Sequence, residues 1–139
     1  MAPTSTDDVA QIVDLGHAYN LAVDDHDPDA WVACFTEAGE VDSPFGTPRG
    51  REELHRWISG ITANLTGTRH FSANEVVTVD GDRATMRSYY FVVGTTEHPP
   101  AIGATGHYED ELVRTDGRWR FARRVHTVDP SFQGEALAG

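Results

Sequence analysis

The chain reads as an α+β domain: three helices packed on a strongly curved mixed or antiparallel sheet that forms a cone with one pocket. Three observations predict this. Apolar residues recur at helical spacing as far as Leu65. From Thr68 onward the period changes to two. Asp80-Gly81-Asp82 and Asp116-Gly117 are hairpin turns between the later strands. Helices first and long strands last is an α+β pattern.

The first helix is predicted over 7–25. Thr4, Ser5 and Thr6 offer N-caps, Asp7 and Asp8 suit a helix N-terminus, and Val9, Ile12, Val13, Gly16, Asn20 and Val23 repeat on one face. Asp27-Pro28 opens a short second helix, with Asp27 as cap and Pro28 in the first position. Glu37-Ala38-Gly39-Glu40 reads as a turn, 41–44 as a short strand and Phe45-Gly46-Thr47-Pro48 as a loop. The third helix begins at 49–53, buries Leu54, Trp57, Ile58, Ile61 and Leu65, and is closed by Gly67. Strands are expected over 70–79, 83–95, 101–115 and 118–128. The prolines of Glu97-His98-Pro99-Pro100 interrupt the ladder. A polar tail, 129–139, follows a core of about 5–128, and the whole chain is one domain over 1–139.

Composition excludes several function classes. The formal net charge of −11 argues against nucleic acid and anionic membranes as partners. No apolar run is long enough to span a bilayer, and the first residues lack the pattern of a signal peptide, so a cytoplasmic location is expected. Cys34 is the only cysteine, which rules out an intrachain disulfide and a thiolate metal cluster. All 11 basic residues are arginine, so lysine Schiff-base chemistry is excluded. The seven histidines form no His-x-His or His-Glu-x-x-His pattern; neither metal nor cofactor is expected.

Two stretches carry candidate chemistry. Tyr19-Asn20-Leu21-Ala22-Val23-Asp24 ends the first helix, and Thr68-Arg69-His70-Phe71 starts the first long strand. A phenol, a carboxylate and an imidazole in one pocket can move protons on a small organic molecule.

The chain resembles the nuclear transport factor 2-like superfamily, in its SnoaL-like branch. The resemblance rests on Val23-Asp24-Asp25-His26-Asp27 with Trp31 and Phe35, on Phe35-Thr36-Glu37-Ala38-Gly39-Glu40-Val41, on Gly50-Arg51-Glu52-Glu53-Leu54 and on Gly117-Arg118-Trp119-Arg120-Phe121-Ala122. Such a fold hosts dehydratases, isomerases, polyketide cyclases and plain binding domains. Asp24 and His70 resemble the catalytic pair of scytalone dehydratase, whose histidine lies in a Thr-x-His-Phe stretch. Bile-acid dehydratases also carry a tyrosine five residues before the aspartate, as Tyr19 stands here.

The resemblance implies His70 as general base, Asp24 as its orienting carboxylate, with Asp25 the rival, and Tyr19 as a hydrogen-bonding group. A second pocket histidine is implied at His98 or His107, and a late arginine at Arg123 or Arg124. Phe45 and Trp57 are candidate wall or lid residues. Met86, Ser88, Tyr90 and Val92 share one strand face, while Arg87, Tyr89, Phe91 and Val93 share the other, and either set could line the pocket. On the last strand, Trp119, Phe121, Arg123 and Val125 alternate with Arg120, Ala122, Arg124 and His126. The expected function is a cofactor-free, dehydratase-type lyase acting on a small, largely apolar hydroxy-ketone or a polyketide- or steroid-like substrate. An isomerase or cyclase, or a non-catalytic binder of a small hydrophobic ligand, are the alternatives. A homodimer through Tyr89, Phe91 or Val93 is also implied.

Overall fold

A computed structural model of the chain describes residues 6–96 and 98–130. The elements are α1 (Thr6–Asp24), α2 (Pro28–Val32), β1 (Phe35–Asp42), α3 (Arg51–Ala63), β2 (Thr68–Asp80), β3 (Arg83–Gly94), β4 (Ala101–Thr115) and β5 (Arg118–Val128). The helices pack on one five-stranded sheet of order β1-β5-β4-β3-β2. β1 runs parallel to β5 and every other pair is antiparallel, so the sheet is mixed.

Local chemistry explains most boundaries. Asp27 caps α2 by accepting the Ala30 N–H at 3.1 Å, and Pro28 follows it. Gly81 and Gly117 take positive φ in the two hairpin turns. Gly67 does not close α3, which ends at Ala63 with Asn64 as its cap. Its positive φ turns the chain into β2 instead, and its carbonyl accepts the Thr95 N–H at 2.7 Å.

Glu37–Glu40 is not a turn. It lies inside β1, where Phe35 pairs with Phe121 and Glu40 with Arg123, so that residues 36–39 stand opposite Ala122 alone. This wide bulge accommodates turn-forming residues within a strand.

The concave face of the sheet forms the core with α1 and α2. Ala84, Met86, Ser88 and Tyr90 of β3 point inward, as do Tyr108, Asp110 and Leu112 of β4. Of the two candidate faces of β3, the one carrying Arg87 and Tyr89 is therefore the convex one. Ile12, Tyr19 and Val23 of α1 and Trp31 of α2 pack against the inner face. Burying an aliphatic side chain of this kind stabilises the fold by about 1.5–3 kcal/mol. Helix propensity differs by only ~0.7 kcal/mol per ordinary residue, so packing holds α1 in place.

β5 carries a second bulge. Leu112 pairs with Phe121 and Glu111 with Arg123, which leaves Ala122 without a partner on β4. Trp119 and Phe121 face inward before it; Arg124 and Val128 face inward after it. The simple alternation through Arg123 and Val125 fails for this reason.

Candidate active site

α1 and β2 are joined by two side-chain rungs. Asn20 donates from Nδ2 to Ser72 Oγ at 3.0 Å. One helical turn later, Asp24 Oδ1 lies 2.6 Å from His70 Nδ1. The helix repeat of about four and the strand repeat of two bring both rungs to one seam. Asp24 also accepts the His70 backbone N–H at 2.9 Å through Oδ2. The two side chains are only 13% and 8% exposed.

A carboxylate against Nδ1 fixes the imidazole tautomer. We assign the proton to Nδ1, donated to Asp24, which leaves Nε2 as the basic lone pair. Asp24 is the last residue of α1 and no basic residue occupies that turn. The negative end of a helix disfavours a lone carboxylate. The ring and backbone donors of His70 offset that.

Tyr19 lies elsewhere. Its ring sits among Trp31, Phe35, Tyr108 and Phe121, with centroids 5.4–6.2 Å away. The Arg124 guanidinium is 4.4 Å from its centroid, and burial pushes its hydroxyl pKa up. On a helix five residues turn through about 140°, so Tyr19 and Asp24 look to different sides of α1. Tyr19 packs within the buried aromatic cluster of the core.

Arg124, one residue beyond the bulge, is 1% exposed and binds Asp110 through Nε at 2.8 Å and a terminal nitrogen at 3.0 Å. Burial raises the Asp110 pKa, and Arg124 pulls it back. Burial works against the Arg124 charge too, but Asp110 more than offsets it. We read the two as an ion pair, since an arginine keeps its proton in any protein setting. Tyr108 stacks on the guanidinium at 3.7 Å.

Arg123 is corrected by the same bulge. It points away from the concave face and binds Glu40 at 3.0 Å and Asp42 at 3.2 Å. His107 is also displaced from the expected position. It pairs with Tyr89 across β3 and β4, between inward-facing Gly106 and Tyr108, and so belongs to the convex face. His98 is exposed.

Tyr90 is buried on the inner face, Trp57 packs partly buried against the core, and Phe45 is exposed. Tyr90 shares the inner face with His70, diagonal to it in the β2–β3 register. Trp57 donates from Nε1 to the Phe45 carbonyl at 3.3 Å. The Phe45 ring is 59% exposed and stands 5.7 Å from His126. Val92, Ala104, Ile61 and Leu65 add partly buried apolar surface against the core.

His126 was not among the predicted site residues. Its ring lies 4.7 Å from Tyr90 and 5.1 Å from Tyr108. Burial lowers its pKa to about 4, helped by Arg124, His70 and His107. Among the described residues, no three His, Cys, Asp or Glu side chains gather as a metal site would require. None of the helices is long and apolar enough to cross a membrane. Asp129 accepts from Thr105 Oγ1 at 2.6 Å, while the remaining tail, 131–139, lies outside the described residues.

Comparison with known proteins adds kinship to this geometry. The SnoaL-like domain family matches residues 4–125. The protein Rv2910c of Mycobacterium tuberculosis, itself uncharacterized, is 31% identical over 113 residues, 78% of this chain and 77% of its own. A protein of unknown function with a cystatin-like fold from Nostoc punctiforme superposes with a TM-score of 0.89 at 26% identity, covering 95% of this chain and 98% of that one. A structure provisionally named a scytalone dehydratase, from Novosphingobium aromaticivorans, gives a TM-score of 0.76 at 28% identity, covering 88% and 84% of the two chains.

Proposed function

This chain belongs to the SnoaL-like domain family, and on that premise we propose that it is a cofactor-free lyase of the dehydratase type. Its substrate is a small, largely apolar hydroxy-ketone. The single observation that carries this reading is the buried 2.6 Å contact between Asp24 and His70. A surface ion pair would be worth little and would be free to rearrange. Here Asp24 grips both ring and backbone, which suits a base of fixed orientation.

In the proposed step, His70 Nε2 removes the proton from the carbon next to the carbonyl. The electron pair enters the carbonyl as an enolate. When the carbonyl re-forms, the β-hydroxyl leaves as water, taking the proton from the imidazolium. Asp24 stabilises the imidazolium between the two transfers. Isomerisation or cyclisation would begin with the same proton abstraction, and the loss of water separates the outcomes. We further propose that the protein works as a homodimer, through the convex face.

The test does not need the natural substrate. In heavy water the protein should exchange the hydrogens next to the carbonyl of 1-tetralone. His70→Ala and Asp24→Asn should each slow that exchange by about 10²-fold or more with the fold intact. Unchanged exchange in both variants would reject the mechanism.

A further inference from the structure

Six buried side-chain polar atoms among the described residues have no partner: Asn20 Oδ1, Trp31 Nε1, Ser88 Oγ, Tyr90 Oη, Arg124 Nη1 and His126 Nε2. Apart from Arg124, each belongs to an uncharged group, since burial holds His126 neutral at pH 7 and raises the Tyr90 hydroxyl. Register places three of them together. Ser88, Tyr108 and His126 form one row across β3, β4 and β5. Tyr90, Gly106 and Val128 form the next. A Cβ on Gly106 would come within 2.6 Å of Tyr90 Cε1. The missing side chain is what lets the Tyr90 ring lean across β4 onto Tyr108, 4.8 Å away, and His126.

Native proteins rarely leave several neighbouring buried groups unsatisfied, because each costs a desolvation penalty. A bound oxygen that accepts from Tyr90 and exchanges a hydrogen bond with His126 removes that penalty. Among the described residues the arginine of this inner face is Arg124, which has two nitrogens on Asp110, leaves Nη1 without a partner and lies against the Tyr108 ring. Asp110 already balances the Arg124 charge, so a buried carboxylate would meet no net positive charge here.

We propose that Tyr90 and His126 form an oxygen-binding subsite beside the Asp24–His70 pair, which holds an uncharged carbonyl or hydroxyl oxygen of the substrate and rejects carboxylates. The proposal rests on the reading that this pair acts on a bound ketone. It adds which groups hold the oxygen and which substrates are refused.

Infrared spectroscopy of carbonyl-labelled 1-tetralone bound to the intact protein tests this, with 1-naphthoate as the carboxylate of matching size. The bound carbonyl stretch should move to lower frequency. Tyr90→Phe and His126→Leu should each reduce that shift and weaken binding by about tenfold, the loss of one hydrogen bond. 1-Naphthoate should bind at least about tenfold more weakly than the ketone, as an unpaired buried charge requires. Asp24→Asn and His70→Ala should leave the shift in place while abolishing deuterium exchange. A wild-type stretch unchanged from water, a shift insensitive to both subsite variants, or naphthoate binding as tight as tetralone overturns the subsite. The wild-type measurement stands even if a variant fails to fold. A shift that survives while His70→Ala still exchanges deuterium supports the subsite and defeats only the proposed chemistry.

Discussion

Asp110 and Arg124 place a full ion pair in the middle of an aromatic cluster, where neither side chain is more than 3% exposed. Two charge-assisted hydrogen bonds and three ring faces compensate for lost water. Removing one partner strands the other. Asp110→Ala or Arg124→Leu should cost about 3–5 kcal/mol in urea unfolding, whereas a well-packed apolar replacement of both should recover most of it. His126 makes a separate prediction about pH. Its folded pKa of about 4 lies below the ordinary 6.5, so the unfolded chain binds the extra proton first. Its contribution is complete above about pH 6.5 and is lost as pH falls towards 4. The difference amounts to about 3 kcal/mol. Chemical denaturation across that range should show His126→Gln losing less stability on acidification than the parent chain. The Asp24–His70 contact was legible through a motif; Arg124 and His126 were not, because their inward placement depends on a bulge that leaves no mark in residue type.

At the scale of elements, the late strands were the most readable. The ranges of β4 and β5 coincide with expectation because Gly117 fixes where their hairpin reverses and Pro99-Pro100 keep the ladder from starting before Ala101. β1 was obscured, since Gly39 and its neighbours look like a turn when they in fact form a bulge. Arg123 shows the cost of such irregularities: a one-residue change of phase moves a side chain through the sheet. Gly106 marks a close approach of β4 and β5 beside Tyr90. A Cβ there would meet the Thr127 carbonyl oxygen at 2.0 Å. Gly106→Ala should therefore lower stability by about 1–3 kcal/mol, as overpacking does, and should change the near-ultraviolet circular dichroism of the Tyr90 cluster. An unaltered spectrum and melting curve would show that the strands separate there freely.

For the whole molecule, composition and periodicity sufficed for the α+β arrangement, and motifs sufficed for the family. They did not show which surface is left uncovered. The convex face presents Phe71, Tyr89 and Val76, each 46–63% exposed, with Phe91 stacked on Phe71 at 5.0 Å. Contiguous apolar surface of this kind favours association. The proposed homodimer should appear as twice the chain mass in sedimentation, and Phe71→Glu with Tyr89→Glu should convert it to the monomer. A parent protein already at single-chain mass would refute it.

Asp24 holds more than an imidazole. β2 is an outer strand of the sheet, and the Asp24 carboxylate occupies a backbone N–H that a foreign strand would otherwise seek. Asparagine at that position keeps one acceptor oxygen for this amide; alanine keeps none. Alanine at that position therefore joins inactivation to a tendency to aggregate, whereas asparagine separates the two.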